Sequence, residues 1–450
     1  MINITPLDKW IKEKIQFCCN STHSDFTNAL EAYQLRKINE TIDHARSNSP
    51  FYRRMLRNIP MEPFVALSDF AKIPFTTPSD IAGDPFGFLA VRQNDVSNIV
   101  TLRTSGSTGN AKRIFFTNDD LELTIDFFHR GMRTLVSPGQ KVAILLPGAI
   151  SDSVGDLLMR GLSRLDVRSL VYGPVIDPRD AVDAISSFGA HCLVGIPIQV
   201  LDLAHSWVEA DIKQSSIENV LLSTDYVPRA ISRTLQNLWG CRVFNHYGMT
   251  EMGLGGGVEC EALDGYHLRE ADLYFEIVDH ETGRLCPDGV TGEVVFTTLT
   301  RKGMPLIRYR TGDMARIIPE PCPCGSALKR MECVKGRWSG IIYLEPDSRL
   351  FLSDLDEALF GLSGLLDYRA TVSMRKGRAA QMHIDIYQAE GAALKKQDIL
   401  HALNRINAIQ KSISSNALME PTITFSSEGR WSTTGTTKRK IVISTEAEYT

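Results

Sequence analysis

Between about residue 140 and residue 250, short apolar runs alternate with amphipathic stretches, and this alternation constrains the fold more than any other feature of the chain. The runs are VAILL (142–146), VRSLVY (167–172), CLVGI (192–196), VLLS (220–223) and RVFNH (242–246). Between them Val154, Leu157, Leu158, Gly161 and Leu162 recur at helical spacing, followed by Val182, Ile185 and Phe188. Ile198, Leu201, Ala204 and Val208 make a third amphipathic stretch, and Ile231, Leu235 and Leu238 a fourth. Buried strands separated by helices predict a parallel sheet covered on both faces. In such sheets ligands bind at the carboxyl ends of the strands, so the loops PGAISDSVG, PIQ, TDYVPRA and YGMTEMG should line a crevice.

On either side the pattern differs. Leu35, Ile38, Ile42 and Ala45 predict an N-terminal helix that stops at Ser49-Pro50, and a Pro-punctuated stretch follows it. From about 270, YFEIVD, GEVVFTT and MARII, separated by ETGR and PDG, read as an antiparallel region. Beyond Gly336 come IIYL, a helix around DLDEALFGL, the strand MHIDIY, a helix near 397–410 and TITF, a smaller α+β unit. The expected class is therefore α/β. A large N-terminal domain of several subdomains (1–337) has parallel-sheet layers and an antiparallel region, and a small α+β C-terminal domain (338–450) follows a hinge near 336–340.

A chain of 450 residues with 43% hydrophobic content can bury such cores. A net charge of −4 gives no general attraction to nucleic acid or anionic membrane. No run of about 18 apolar residues occurs, and the scattered charges of MINITPLDKWIKEKIQF do not read as a secretory signal. Nine cysteines, an odd number spread over a long chain, point to reduced thiols in the cytoplasm and room for a metal site rather than a disulfide scaffold.

Four of those positions carry a metal pattern. Cys260 and His267 precede the tight knuckle Cys322-Pro323-Cys324-Gly325, and three thiolates with one imidazole form a closed tetrahedral zinc set. Four ligands with no open position imply a structural Zn²⁺, with Cys286 or Cys333 as alternates for one of them.

Thr104, Ser105, Gly106, Ser107, Thr108, Gly109, Asn110, Ala111 and Lys112 pack hydroxyls, glycines and a lysine together. Glycines admit a phosphate chain close to the backbone, hydroxyls and N–H groups donate to its oxygens, and lysine supplies charge. A kinase-type loop would need Gly-x4-Gly-Lys-Ser/Thr. Counted from Gly106, Ala111 stands at the second glycine position and Arg113 follows the lysine, so that reading fails.

TSGSTGNAK instead resembles the loop of the acyl-adenylating (adenylate-forming) superfamily, which includes acyl-CoA synthetases and the adenylation domains of peptide synthetases. Tyr247-Gly248-Met249-Thr250-Glu251 and Tyr309-Arg310-Thr311-Gly312-Asp313 follow in that superfamily's order. NSPFYRRM, FAKIPFTTPSDI and the CPCG knuckle resemble the phenylacetate-CoA ligase group within it.

The resemblance implies the roles of individual residues. Ser105 to Gly109 hold the β- and γ-phosphates of ATP, with Thr104 and Lys112 beside them; Tyr247 stacks on adenine, flanked by Gly248 and Met249. Thr250 bonds the α-phosphate, Glu251 holds Mg²⁺, Asp313 accepts the ribose hydroxyls and Arg337 touches ribose or phosphate. A C-terminal lysine reaches the α-phosphate, Lys438 here, with Lys440 as its alternative.

The implied reaction joins a carboxylic acid to AMP, releases pyrophosphate and passes the acyl group to a thiol such as CoA. A carrier-protein thiol or an amine is the alternative acceptor, and a catalytically silent nucleotide or acyl sensor is an alternative of another class. The resemblance is to a soluble enzyme of small-molecule substrates, with a homodimer left open. The acyl pocket should draw on Ser151, Asp152, Ser153 and Gly155, on Ile196, Pro197 and Ile198, on Ser223, Thr224 and Asp225, and on His246. Their polarity points to an acid with an amino or hydroxyl group, aromatic in character, because buried polar groups need partners.

Overall fold

The computed structural model describes residues 5–16, 23–102, 111–375, 378–389, 391–426 and 439–445. The chain divides into two compact units. Met1–Gln140, Gly148–Ser169 and Phe244–Val334 form the first, and Lys141–Pro147, Leu170–Val243 and Lys335–Thr450 the second. Among the described residues no helix is long and apolar enough to cross a membrane.

The second unit contains most of the alternating pattern. Strands Lys141–Ile144, Cys192–Gly195 and Asn219–Leu222 are fully or nearly buried and pair in parallel, Ile144 opposite Val194 and Gly195 opposite Leu222. Helices Pro178–Phe188, Pro197–Glu209 and Arg229–Trp239 connect or follow them. Asp177 caps the first of these through the N–H groups of Arg179 and Asp180, and Gly189 ends it at φ +67°, where a side chain would be strained.

The same unit carries the C-terminal four-stranded sheet. Leu365–Arg375 and Arg378–Gln388 form its antiparallel centre, while Val442–Thr445 and Thr422–Phe425 add in parallel at the two edges. The predicted helix near 397–410 is two helices, Lys396–Asn404 and Asn407–Ser414. One hydrophobic core runs from Ala143 and Leu193 through Leu355 and Ile384 to Ile441. The break at Val334/Lys335 falls beside the expected boundary of 337/338, and the segment after it shares a core with 141–147 and 170–243.

The first unit holds the predicted N-terminal helix, His23–Asn48, with Leu30, Ile38, Ile42 and Ala45 buried. Ser49 then caps the helix Pro50–Met55. Strands Leu273–Val278, Gly292–Thr298 and Tyr309–Ala315 form the antiparallel sheet. Its third strand corrects the expectation: it begins at Tyr309 rather than at Met314, so the Thr-Gly-Asp triplet lies inside a strand. The strand buries Tyr309, Thr311, Asp313 and Ala315 alternately, the period of two expected of pleated backbone. Polar Thr311 and Asp313, with Gly312 at φ +76°, hide that period in the sequence.

Candidate functional site

In the first unit, residues from the three sequence motifs converge. Lys112 opens the strand Lys112–Phe116, which pairs antiparallel with Asn98–Leu102. The short turn Thr250–Met252 follows the strand Arg242–Tyr247 and places Glu251 inside the protein, 2% exposed. Lys112 Nζ donates to Glu251 Oε1, and the Tyr309 hydroxyl donates to the same oxygen at 3.1 Å. Lys112 Nζ also lies 3.3 Å from the Tyr309 hydroxyl. Burial alone would raise the Glu251 carboxyl, but the charge and hydrogen bond of Lys112 outweigh it and hold the group below its ordinary value. Glu251 is therefore an ionised carboxylate inside the protein, kept there by a cation and a phenol.

The backbone around it is fixed by Arg301, a residue the motifs did not flag. Its guanidinium, 6% exposed, donates to the Glu251 carbonyl and to the Phe115 carbonyl, both at 2.9 Å. The next two residues are held by Asp120, whose carboxylate accepts from the N–H groups of Lys302 and Gly303 at 2.9 and 3.1 Å. Asp120 completes the capping box at Thr117 as well, so the start of the helix Asn118–Gly131 and the Arg301 loop are fixed together. The one sequence signal for Arg301 is a cation set among the apolar residues of the antiparallel region.

Beyond Glu251, the Tyr247 hydroxyl donates to Asp313 Oδ2 at 2.8 Å, and the Tyr247 ring stacks on Tyr266 with centroids 5.7 Å apart. Asp313 is 4% exposed and sits on the same strand face as Tyr309. His246, one residue before Tyr247, packs near Phe127 and Phe128, and burial pushes its imidazole down to about 4. It is neutral across the physiological range and able to accept or donate a hydrogen bond. Gly248 admits no side chain: a Cβ there would stand 2.2 Å from the Leu254 carbonyl oxygen. Met249 precedes the turn and Thr250 is its first residue.

Not every predicted residue belongs to this cluster. Thr104, Ser105, Gly106, Ser107, Thr108 and Gly109, and Lys438, lie outside the described residues. Of the basic run that follows Lys438, Lys440 is exposed, whereas Arg439 donates to Asp356 at 2.6 Å and stacks over Tyr368 and Phe360. Arg337 precedes the short turn Trp338–Gly340 in the second unit.

The residues expected to line an acyl pocket fall in both units. Ser151, Asp152 and Ser153 lead into the helix Val154–Ser163 of the first unit, which contains Gly155, and Asp152 pairs with Arg160 at 2.9 Å. Ile196 and Pro197 start the helix Pro197–Glu209 in the second unit, where Ser223, Thr224 and Asp225 follow the strand Asn219–Leu222. Both of those groups stand at carboxyl ends of parallel strands, as the alternation predicts.

The metal pattern assembles in the first unit. The donor atoms of Cys260, His267, Cys322 and Cys324 all lie within 4.8 Å of one another. Cys260 Sγ is 3.6 Å from Cys322 Sγ, and Cys324 Sγ is 3.3 Å from His267 Nε2. A tetrahedral zinc with ordinary bond lengths needs edges of about 3.8 Å between sulfurs and about 3.6 Å between sulfur and nitrogen. The N–H groups of Ala262 and Ser326 donate to Cys260 and Cys324, both at 3.4 Å, and partly offset the burial that raises both thiols. Burial keeps the His267 imidazole neutral, the form that ligates. The two alternates stand elsewhere: Cys333 lies beside Glu259, and the Cys286 backbone bonds Ile277.

Comparison with known proteins bears on the family and on the fold. A phenylacetate-coenzyme A ligase of Thermus thermophilus is 26% identical over 402 residues, 86% of this chain and 88% of its own length. One from Aromatoleum evansii is 28% identical over 337 residues, 73% of this chain and 75% of its own. The crystal structure of 2-hydroxyisobutyryl-CoA ligase in its postadenylation state, in complex with 2-HIB-AMP, superposes with a TM-score of 0.78. That match covers 93% of this chain and 89% of the other at 19% identity, so it bears on the fold alone and agrees with the α/β class. Residues 58–299, more than half of the chain, match the AMP-binding enzyme family, and the chain belongs to that family.

Proposed function

We propose that this chain is an ATP-dependent acid–thiol ligase. It activates an aromatic carboxylic acid as the acyl-AMP, releases pyrophosphate and transfers the acyl group to the thiol of CoA. The observation that carries the reading is the meeting of Lys112, Tyr247, Glu251 and Asp313, drawn from three separated motifs, within one unit. Membership of the AMP-binding enzyme family and the likeness to phenylacetate-coenzyme A ligases support it.

The chemistry brings two anions together, a carboxylate and a triphosphate, so cations and donors must stand where charge accumulates. Lys112 supplies one cation beside the phosphate loop. Asp313, oriented by the Tyr247 hydroxyl, is fit to accept from a ribose diol, because one carboxylate can take both hydroxyls. Thr250 donates to the α-phosphate. Glu251, an ionised hard-oxygen donor, fits Mg²⁺, and the ion when bound lowers the cost of charge at the phosphates. Lys438 completes the charge balance at the α-phosphorus, where the carboxylate oxygen bonds as the pyrophosphate oxygen leaves.

Cys260, His267, Cys322 and Cys324 would hold a structural Zn²⁺, as their spacing and donor chemistry fit it. The seven cysteines among the described residues are free thiols, in keeping with a reducing cytoplasm. The neutral His246 beside Phe127 and Phe128 supports an aromatic acid with a hydrogen-bonding substituent.

The deciding measurement is acid-dependent ATP–pyrophosphate exchange over a panel of benzoates and phenylacetates, then mass detection of the acyl-CoA. Amino- or hydroxy-aromatic acids should give the fastest exchange. No exchange with any acid would remove the ligase reading, and a clear preference for unsubstituted phenylacetate would remove the substituent.

A further inference from the structure

We propose that Tyr309 is the positioning residue for Glu251. The proposal rests on the reading of Glu251 as the Mg²⁺ holder and adds the group that keeps its carboxylate aimed. Tyr309 is 1% exposed, and its ring packs on Phe296 at 5.4 Å between centroids. Its backbone is fixed twice, opposite Phe296 in the sheet and by a bridge to Thr76, whose carbonyl accepts from the Arg310 N–H at 2.9 Å. Paired backbone and a buried ring against Phe296 together hold the phenol beside Glu251.

A phenol has one hydrogen to give and lone pairs to receive. Here the hydrogen goes to Glu251 Oε1 at 3.1 Å, and Lys112 Nζ supplies a donor 3.3 Å from the oxygen. Lys112 cannot serve Glu251 and a phosphate chain equally, because the two anions compete for one ammonium. Nor can it stay tight on Glu251 once a divalent cation is there, because like charges repel. The Tyr309 hydroxyl is neutral and meets neither conflict. It is the donor that keeps Glu251 in place when Lys112 turns to phosphate.

The test compares Tyr309→Phe and Glu251→Gln with the parent protein. The Phe ring preserves the packing on Phe296, and melting curves check that the fold is intact. Mn²⁺ binding in the presence of ATP is read by electron paramagnetic resonance, and the Mg²⁺ dependence of pyrophosphate exchange is read alongside. Tyr309→Phe should raise the half-saturating Mn²⁺ and Mg²⁺ concentrations about tenfold, the scale of losing an outer-shell partner of a metal ligand. Glu251→Gln should weaken Mn²⁺ binding further. If Tyr309→Phe binds Mn²⁺ like the parent while Glu251→Gln does not, the role of Tyr309 is wrong and that of Glu251 stands. If Glu251→Gln also binds like the parent, both are wrong.

Discussion

The Tyr247 hydroxyl and the Asp313 carboxylate, 66 residues apart in the chain, are joined by a buried hydrogen bond of 2.8 Å. One comes from a turn-flanking strand end and the other from the antiparallel sheet, so the bond sets the distance between the groups assigned to adenine and to ribose.

Removing that hydroxyl should be felt in nucleotide binding. Tyr247→Phe keeps the stack on Tyr266 and frees the Asp313 carboxylate to rotate. The KM for ATP should rise about tenfold with kcat nearly unchanged, the scale of one hydrogen bond to a charged group. Steady-state exchange kinetics at varied ATP would check it, and an unchanged KM would separate Tyr247 from nucleotide binding.

Lys112→Met should destabilise the protein in a pH-dependent way. In the parent the Glu251 carboxyl is held below its ordinary value, so its pairing contributes stability at neutral pH and loses it as pH falls through the lowered value. Without Lys112 the carboxylate is buried with its main cation gone, costing about 3 kcal/mol at pH 7. Acid relieves the variant by protonating Glu251, so its deficit against the parent should shrink toward pH 4. Urea melts at both pH values measure this, and a deficit that grows with acid would contradict it.

His246 should shape the acid limb of stability. Its imidazole, held at about 4 by burial against an ordinary 6.5, stays neutral in the fold while the unfolded chain takes up a proton. Stability should therefore fall as pH drops from about 6.5 to about 4, by about 2 kcal/mol after allowance for partial exposure. His246→Asn should flatten that window in urea midpoints, and an unaltered slope would argue against the burial effect.

Purified protein should carry about one zinc per chain, and less than about half would count against the cluster. Cys324→Ser should lose most of the metal and lower the melting temperature by several degrees. Elemental analysis and calorimetry on the same samples read both.

How legible all this was depended on the kind of signal. The parallel strands were visible because strands buried on both faces become near-continuous apolar runs, as in Cys192–Gly195 and Asn219–Leu222. The Cys/His cluster was legible because few residue types ligate zinc, and all four named residues meet. Lys112, Tyr247, Glu251 and Asp313 were found through motif order, which names residues without showing their contacts. Nothing in the sequence pairs Lys112 with Glu251 across 139 positions. Arg301 and Asp120 escaped notice because they act through backbone carbonyls and N–H groups, which carry no residue identity. The shared core of 141–147 and 170–243 with 335–441 escaped too, since apolar periodicity reports which face is buried but not what covers it.

The alternation along Tyr309–Ala315 has one more implication. Because successive side chains face opposite ways, a slip of a single position would carry Tyr309, Thr311 and Asp313 together to the wrong side of the sheet. A substitution at any one of them alters one side chain of that face, whereas an inserted or deleted residue ahead of the strand would displace all of them at once. Descendants of this protein are thus freer to vary the letters of that stretch than to vary its length.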